Sequence, residues 1–374
     1  MSYKNRSSRF KFEIAGEEYS SHILRVLEEE EFKGGISILY TRRPNAVLSL
    51  KKEGEDVLVV ICRDRETDDF IGFGACAINR LYVGGRAVKV GYIFALRMAR
   101  EHRKKYPRLL PSAYEYIGDI LRDKGVEHVY TTILSDNKDV QNMFEKKRRS
   151  MPDYNYSGGY NVHCIRTNLP EKGAPGDFEL SQACEADVEY MLEIFKKQGG
   201  LYDFYPAISR EDLYGETEFP LKYSDFYVLK DKSTGKLLAC GAPWDQSGYK
   251  QHIVIGYKGR YKAFRAISPL FKVLGIPKMP KPGTTLKYYT VAFYAAREDG
   301  GKYIETLVRG ISRIKKNYDY FIMGASAGST ADGVLSGISP IVYSSRVYIV
   351  DWEKHSEGKL EADRKQIYLE CARL

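Results

Sequence analysis

The segment VGYIFALRMAREHRKKYPRLL, Val90 to Leu110, decides how this chain is read. Its first part is a run of apolar and aromatic residues with alternating polar ones, the pattern of a largely buried strand. Its end opens LPSAYEYIGDILRDKG, a helical pattern that closes on Gly125, a residue suited to terminating a helix. The loop between them has no glycine, one proline and five Arg or Lys. A strand feeding a helix through a loop presents unpaired backbone N–H groups at the helix start, where anions are favoured. Here cations stand where such loops usually place flexible glycine.

Reading outward, RFKFEIA is a strand, EEYSSHILRVLEEEEF a helix, and DVLVVICRD and DFIGFGACAINRLYV two more strands. Gly84-Gly85 fits a two-residue hairpin turn into RAVKVGYIFALRM. After the helix Leu110 to Lys124 come the strand EHVYTTIL, the helix NKDVQNMFEKKRR and a last strand within YNVHCIRT. The three strands before the Leu110 helix form an antiparallel meander. The strands flanking that helix are parallel, joined by a right-handed crossover.

The chain repeats itself. RDRETDDFIGFGA (Arg63 to Ala75) aligns without gaps to KDKSTGKLLACGA (Lys230 to Ala242), at an offset of 167. ILRDKGVEHVY (Ile120 to Tyr130) echoes SRIKKNYDYFI (Ser312 to Ile322) at an offset of 192, so the second half carries about 25 extra residues between the two echoes. The Pro- and Gly-rich TNLPEKGAPGDFELS, Thr167 to Ser181, reads as the linker, giving domains 1–168 and 169–374, each of ordinary size. The second half repeats the element order around an insertion, 246–283. From Gln246 to Arg297 there is no Asp or Glu, while Lys250, Lys258, Arg260, Lys262, Arg265, Lys272, Lys278, Lys281, Lys287 and Arg297 alternate with tyrosines. Cations interleaved with aromatics can bind nucleic acid, or form a solvated face.

Composition narrows the class. The 374 residues are 43% hydrophobic and carry a net charge of +9, which favours anionic partners. No run reaches the length of a transmembrane helix, and the start lacks the apolar core of a signal peptide, so a cytoplasmic protein is expected. The six cysteines are dispersed with no CxxC pair, which reads as reduced, buried thiols, and the six histidines form no zinc pattern, so no metal is expected.

The order strand, helix, three antiparallel strands, helix, strand, helix, strand, together with FIGFGACAI, VGYIFALRMAREHRKKYPRLL, TTILSDNKDVQNMFEKKR and SRVYIVDW, resembles the GNAT superfamily of N-acetyltransferases in a tandem two-domain form. The resemblance covers both halves. It implies an α/β fold of two mixed sheets, each with a parallel pair that splays apart. Acetyl-coenzyme A, or another acyl-coenzyme A, would thread the splay of the first half as cosubstrate, its pyrophosphate on the loop at the helix start. The acyl group would then be passed to a small-molecule or peptide amine.

Carried over residue by residue, the resemblance assigns cofactor contacts to Leu96 and Met98 on the strand, to Arg103, Lys104, Lys105 and Arg108 in the loop, and to Asn137 and Phe144 beyond the next strand. Arg103 matches the family's loop, whereas Tyr106 and Arg108 occupy its glycine positions. Phe144 stands where the family places a proton-donating tyrosine, and a phenyl ring cannot donate. Tyr92 and Tyr130 are expected to line the acceptor pocket. No general base can be transferred. The second half, without the loop motif, is expected to be cofactor-free. The degenerate motif leaves two alternatives: a non-catalytic acyl-coenzyme A-binding or sensing module, and a Fem-type aminoacyltransferase using charged transfer RNA, suggested by the basic insertion.

Overall fold

The computed structural model describes residues 9–29, 31–32, 36–103, 105–106, 108–171, 177–259, 262, 280–297, 300–353 and 366–374. Lys104 and, in the insertion, Arg260, Arg265, Lys272 and Lys278 lie outside them. In the first half the order is β1 (Phe10–Ile14), α1 (Ser20–Glu28), β2 (Glu31–Phe32), β3 (Ile36–Thr41), α2 (Ala46–Lys51), β4 (Asp56–Asp64), β5 (Phe70–Val83), β6 (Arg86–Met98), α3 (Leu109–Asp123), β7 (His128–Leu134), α4 (Lys138–Glu145) and β8 (Asp153–Arg166). The second half contributes β9 (Phe178–Gln182), α5 (Val188–Leu201), β10 (Tyr202–Asp203), α6 (Arg210–Tyr214), β11 (Tyr227–Asp231), β12 (Leu237–Trp244), β13 (Gln251–Tyr257), β14 (Tyr288–Ala296), α7 (Gly301–Ile314), β15 (Tyr320–Ser326), α8 (Thr330–Ser336), β16 (Ile341–Asp351) and β17 (Gln366–Ile367).

Twelve strands make one continuous sheet, ordered β1-β4-β5-β6-β7-β16-β8-β15-β14-β12-β11-β9. The order is symmetric about the central β16–β8 pair, so each strand of one half has a counterpart in the other. The final strands are exchanged. β16, from the second half, pairs with β7 of the first, Ile349 opposite Tyr130. β8, from the first half, pairs with β15 of the second, Arg166 opposite Tyr320. The expected linker region begins just after β8 and ends within β9, and the described strands of both halves share one sheet.

Local chemistry explains the first echo and extends the second. Asp64 accepts the Glu66 amide at 2.9 Å, and Asp231 accepts those of Ser233 at 3.0 Å and Thr234 at 2.9 Å. Each carboxylate closes the turn after its strand. Asn137 caps α4 and Ser329 caps α8, again 192 residues apart. Gly84 and Gly85, with φ of 57° and 82°, make the β5–β6 turn that only left-handed backbone permits.

One expected helix is shorter than its pattern. EEYSSHILRVLEEEEF is α-helical only over Ser20–Glu28, and Glu31–Phe32 pair with β3, which is itself paired to β13 of the insertion. Strand pairing across the halves overrides the helical preference of the acidic run. In each half the sheet is covered on both faces. Ile23, Val26 and Leu27 of α1 and Val47 and Leu50 of α2 bury one face of the first half, while α3 and α4 bury the other around Ile93, Ile120 and Val129. In the second half α5 and α6 cover one face and α7 and α8 the other. No described helix is long and apolar enough to cross a membrane.

Candidate functional site

β6 and β7 are hydrogen-bonded in parallel only from Val90–His128 to Ile93–Thr131, then diverge, β6 to Met98 and β7 to Leu134. β14 and β15 do the same after Thr290–Ile322. Just past each paired segment the fourth-strand equivalent bulges, with positive φ at Ala95 (53°) and at Phe293 (50°). Such backbone is costly for a residue with a Cβ, most of all for an aromatic one. Both halves therefore carry a splay with a bulged backbone at its mouth.

The two splays are finished differently. In the second half the Phe293 amide donates to Glu370 Oε2 at 2.6 Å. Glu370 also accepts the Ala372 amide at 3.0 Å and the Tyr368 hydroxyl at 2.9 Å, and burial raises its pKa. In the first half no side chain among the described residues accepts from the Ala95 amide. The helix starts differ too. The crossover from β14 to β15 is six residues shorter than that from β6 to β7, so α7 begins directly on Gly300-Gly301. Its nearby cations are engaged: Arg297 is held by both oxygens of Glu193, at 2.8 and 3.0 Å, and Lys302 lies over the Phe178 ring at 4.8 Å.

The first-half loop is tied down at both ends. The Arg100 amide donates to Glu29 Oε2 at 2.9 Å, linking the loop to the end of α1. Tyr106 turns inward, and its hydroxyl donates to Asp64 Oδ2 at 2.8 Å. Asp64, fully buried, also accepts from the Glu66 amide and from Arg9. The Glu66 amide, then the Tyr106 hydroxyl and the Arg9 guanidinium hold its pKa down at about 2. A buried tyrosine thus stands where a glycine was expected, its ring spent on anchoring.

Arg103, Lys105 and Arg108 are all exposed. Arg103 Nε donates to the Met98 carbonyl at 3.3 Å, and Lys105 Nζ lies 5.1 Å from the Tyr106 ring centre. Arg108 is the N-cap of α3, makes no side-chain cap and has no ion pair among the described residues. Pro111 removes one amide from the first turn of α3. An anion at this helix start therefore depends on side-chain cations more than on backbone.

The other expected residues fall as follows. Leu96, 38% exposed, and Met98 lie on the diverging end of β6. Asn137 is exposed, its Oδ1 taken by the Val140 amide at 3.4 Å. Phe144 is buried, stacked on Tyr154 at 4.5 Å and edge-on to Tyr114. The hydroxyls near it belong to Tyr114 and Tyr154, which bond each other and whose pKa values burial drives up. Tyr92 and Tyr130 face each other across the β6–β7 pair, ring centres 4.8 Å apart and both buried. Burial raises both phenols, so neither is a base at neutral pH. Among the described residues no three His, Cys, Asp or Glu side chains gather as a metal site. Of the cysteines, expected to be buried, Cys62, Cys76 and Cys240 are buried, Cys164 and Cys371 are partly buried, and Cys184 is exposed.

Two cavities were not visible in the sequence. One of about 540 Å³ fills the splay of the second half, bounded by Tyr202, Tyr294, Gly300, Ser326, Ser329 and Tyr368. The other, of about 290 Å³, lies beside it and is bounded by Gly158, Asp203, Phe204, Ser326, Val347 and Ile367. Ser326 and Ile367 line both. Val347 is the cross-strand neighbour of Thr132, and Phe204 stacks on Tyr130 at 5.1 Å. The smaller cavity therefore ends one strand away from the splay of the first half.

A continuous mixed sheet built from two splayed units, with a cationic loop at the start of α3, is the tandem form of the GNAT fold. Comparison of structures agrees. Saccharomyces cerevisiae N-myristoyltransferase with bound myristoyl-CoA superposes with a TM-score of 0.58 at 14% identity, covering 93% of this chain and 84% of that one. A GCN5-related N-acetyltransferase from Sphaerobacter thermophilus superposes with a TM-score of 0.55 at 10% identity, covering 92% of this chain and 96% of that one. No family model matches the sequence, and no curated protein matches it. At these identities the likeness is one of fold.

Proposed function

We propose that this chain is an acyl-coenzyme A-dependent N-acyltransferase, with the cofactor in the first half and the amine arriving through the second. The observation that carries the assignment is the asymmetry at the two bulges. The Phe293 amide is occupied by Glu370, whereas no side chain among the described residues caps Ala95. Only the first half leaves its bulge to a thioester carbonyl. There the pantetheine arm would lie between Leu96 and Met98 of β6 and the end of β7, the pyrophosphate would meet Arg103, Lys105 and Arg108, and Asn137 would face the cofactor across the splay.

In the reaction the neutral amine attacks the thioester carbon, the bulged backbone stabilises the oxyanion, and collapse breaks the C–S bond. The thiolate takes a proton and leaves as coenzyme A, and the amine loses one, through water, to become an amide. The two adjacent cavities, with Ser326 and Ile367 in both linings, offer the amine a route. With volumes of about 290 and 540 Å³ they leave room for a peptide or a linear amine as acceptor. Acetyl-coenzyme A is the simplest donor for this reading.

The test is a calorimetric titration with acetyl-coenzyme A, followed by mass spectrometry of products from a panel of peptides and linear amines. Binding at one site per chain and an acetylated product support the reading. No binding at millimolar ligand overturns it. A second reading, an acyl-coenzyme A-binding module without turnover, draws on Phe144, which is committed to the core where a proton donor was expected. Binding without any product would favour it.

A further inference from the structure

Four aromatic rings run side by side across the first-half sheet: Phe94, Tyr92, Tyr130 and Phe204. Successive ring centres are 5.3, 4.8 and 5.1 Å apart, and successive planes differ by 5°, 21° and 17°. None is more than 9% exposed. The stack lies on the face covered by α1 and α2, opposite the one that α3 covers. A chain threaded between β6 and β7 from the α3 side meets it on emerging. There the Tyr92 and Thr132 hydroxyls hydrogen-bond diagonally at 3.0 Å: Tyr92 is still paired, opposite Tyr130, while Thr132 is one residue beyond the last paired register, Ile93–Thr131. The far end of the stack is also fixed. Phe204 holds a φ of 65°, its amide donates to the Tyr82 carbonyl at 2.7 Å, and it is 1% exposed.

We propose that this stack, closed by the Tyr92–Thr132 bridge, sets the acyl length: the site accepts short acyl groups and rejects long ones. The inference rests on the reading that acyl-coenzyme A occupies the first half. Its physical basis is packing. Interiors are filled to crystal-like density, and inserting even a few methylenes into a filled region forces side chains off their preferred positions. Four stacked rings cannot yield one at a time, because each is held by its neighbour. A long acyl chain would have to break the hydroxyl bridge and displace the stack; an acetyl group would stop short of it.

The experiment compares affinities for coenzyme A, acetyl-, octanoyl- and myristoyl-coenzyme A by calorimetry, in the wild type and in Tyr92→Ala and Phe204→Ala. Since each misfitted methylene is worth about tenfold or more, the wild type should prefer acetyl- to octanoyl-coenzyme A by at least about a hundredfold. Tyr92→Ala should shrink that ratio by about tenfold or more while leaving coenzyme A itself bound as before. A wild type that binds myristoyl- as tightly as acetyl-coenzyme A overturns the inference. So does a Tyr92→Ala or Phe204→Ala protein that binds coenzyme A normally yet keeps the wild-type acetyl-to-octanoyl affinity ratio. Should both variants unfold, the wild-type profile alone decides. Absence of binding by every probe, coenzyme A included, removes the parent reading; a wrong length order removes only this one.

Discussion

Glu370 accepts the Phe293 amide at 2.6 Å, and Phe293 is the β14 counterpart of Ala95 in β6. One residue near the end of the chain thus fills the position that, in the other half, faces the splay. Replacing Glu370 with Ala would leave the Phe293 and Ala372 amides and the Tyr368 hydroxyl buried without an acceptor. With about 1–3 kcal/mol for each unsatisfied group, the expected loss is about 3 kcal/mol or more. Urea unfolding measures it. Glu370→Gln, which keeps acceptor oxygen, should cost clearly less. Near-equal losses would mean that the charge, not the capping, matters.

The loop cations should matter for cofactor rather than for folding. Arg103→Ala with Arg108→Ala removes two exposed guanidinium groups at the start of α3. Charge-assisted bonds to phosphate are worth about 1.5–3 kcal/mol, so acetyl-coenzyme A affinity should fall at least about tenfold and its dependence on salt should flatten. The melting temperature should hardly move. Unchanged affinity would leave the loop as a solvated basic surface.

Asp64 makes the loop anchor sensitive to acid. Its pKa is held at about 2, below the ordinary carboxylate value of about 3.9. A depressed pKa contributes stability that is complete above the unfolded value and is lost as pH falls through the folded one. The gap in melting temperature between wild type and Asp64→Asn should therefore be constant above about pH 5 and close between about pH 4 and pH 2. Tyr106→Phe, which loses one hydrogen bond to Asp64, should lower stability by about 1–2 kcal/mol at neutral pH.

The halves are also joined by buried charge. Arg42 Nη2 lies 2.5 Å and Lys250 Nζ 3.2 Å from Glu53 Oε1, with all three side chains at most 8% exposed. Lys250 also donates to the Leu374 carbonyl at 2.8 Å. Glu53→Ala strands two cations in the interior, and a loss of about 3–5 kcal/mol in chemical denaturation is expected. Adding Lys250→Met should restore part of it. If it does not, Lys250 matters through its carbonyl partners and not through Glu53.

Much of the frame was legible because local signals agreed with the tertiary result. The alternating runs, Gly84-Gly85, the Asn137 cap and the echo at Asp64 and Asp231 each encode a turn or an element within a few residues. The parallel pairing of β6 with β7, Tyr92 opposite Tyr130, followed from the strand–helix–strand order alone. What escaped depends on partners far away in sequence. Nothing near Tyr106 says that its hydroxyl reaches Asp64, 42 positions back. Nothing near Glu370 points to Phe293, 77 positions back. The chain has 30 tyrosines, and no local pattern accounts for the number. The structure supplies part of a cause: buried hydroxyls of Tyr160, Tyr205, Tyr348 and Tyr368 each find a carbonyl or carboxylate. SSRVYIVDW reads as a strand, but both its partners, β7 and β8, lie in the other half.

The exchange of β8 and β16 has a consequence for biosynthesis. As the nascent chain leaves the ribosome, its first 168 residues include β7 but not the strand that flanks it. That strand arrives only with Ile341–Asp351, after nearly all of the second half has been made. Until then β7 has an open edge ready for any strand, including that of a neighbouring nascent chain. Neither half has, in its own stretch of chain, all the strands that its side of the sheet contains.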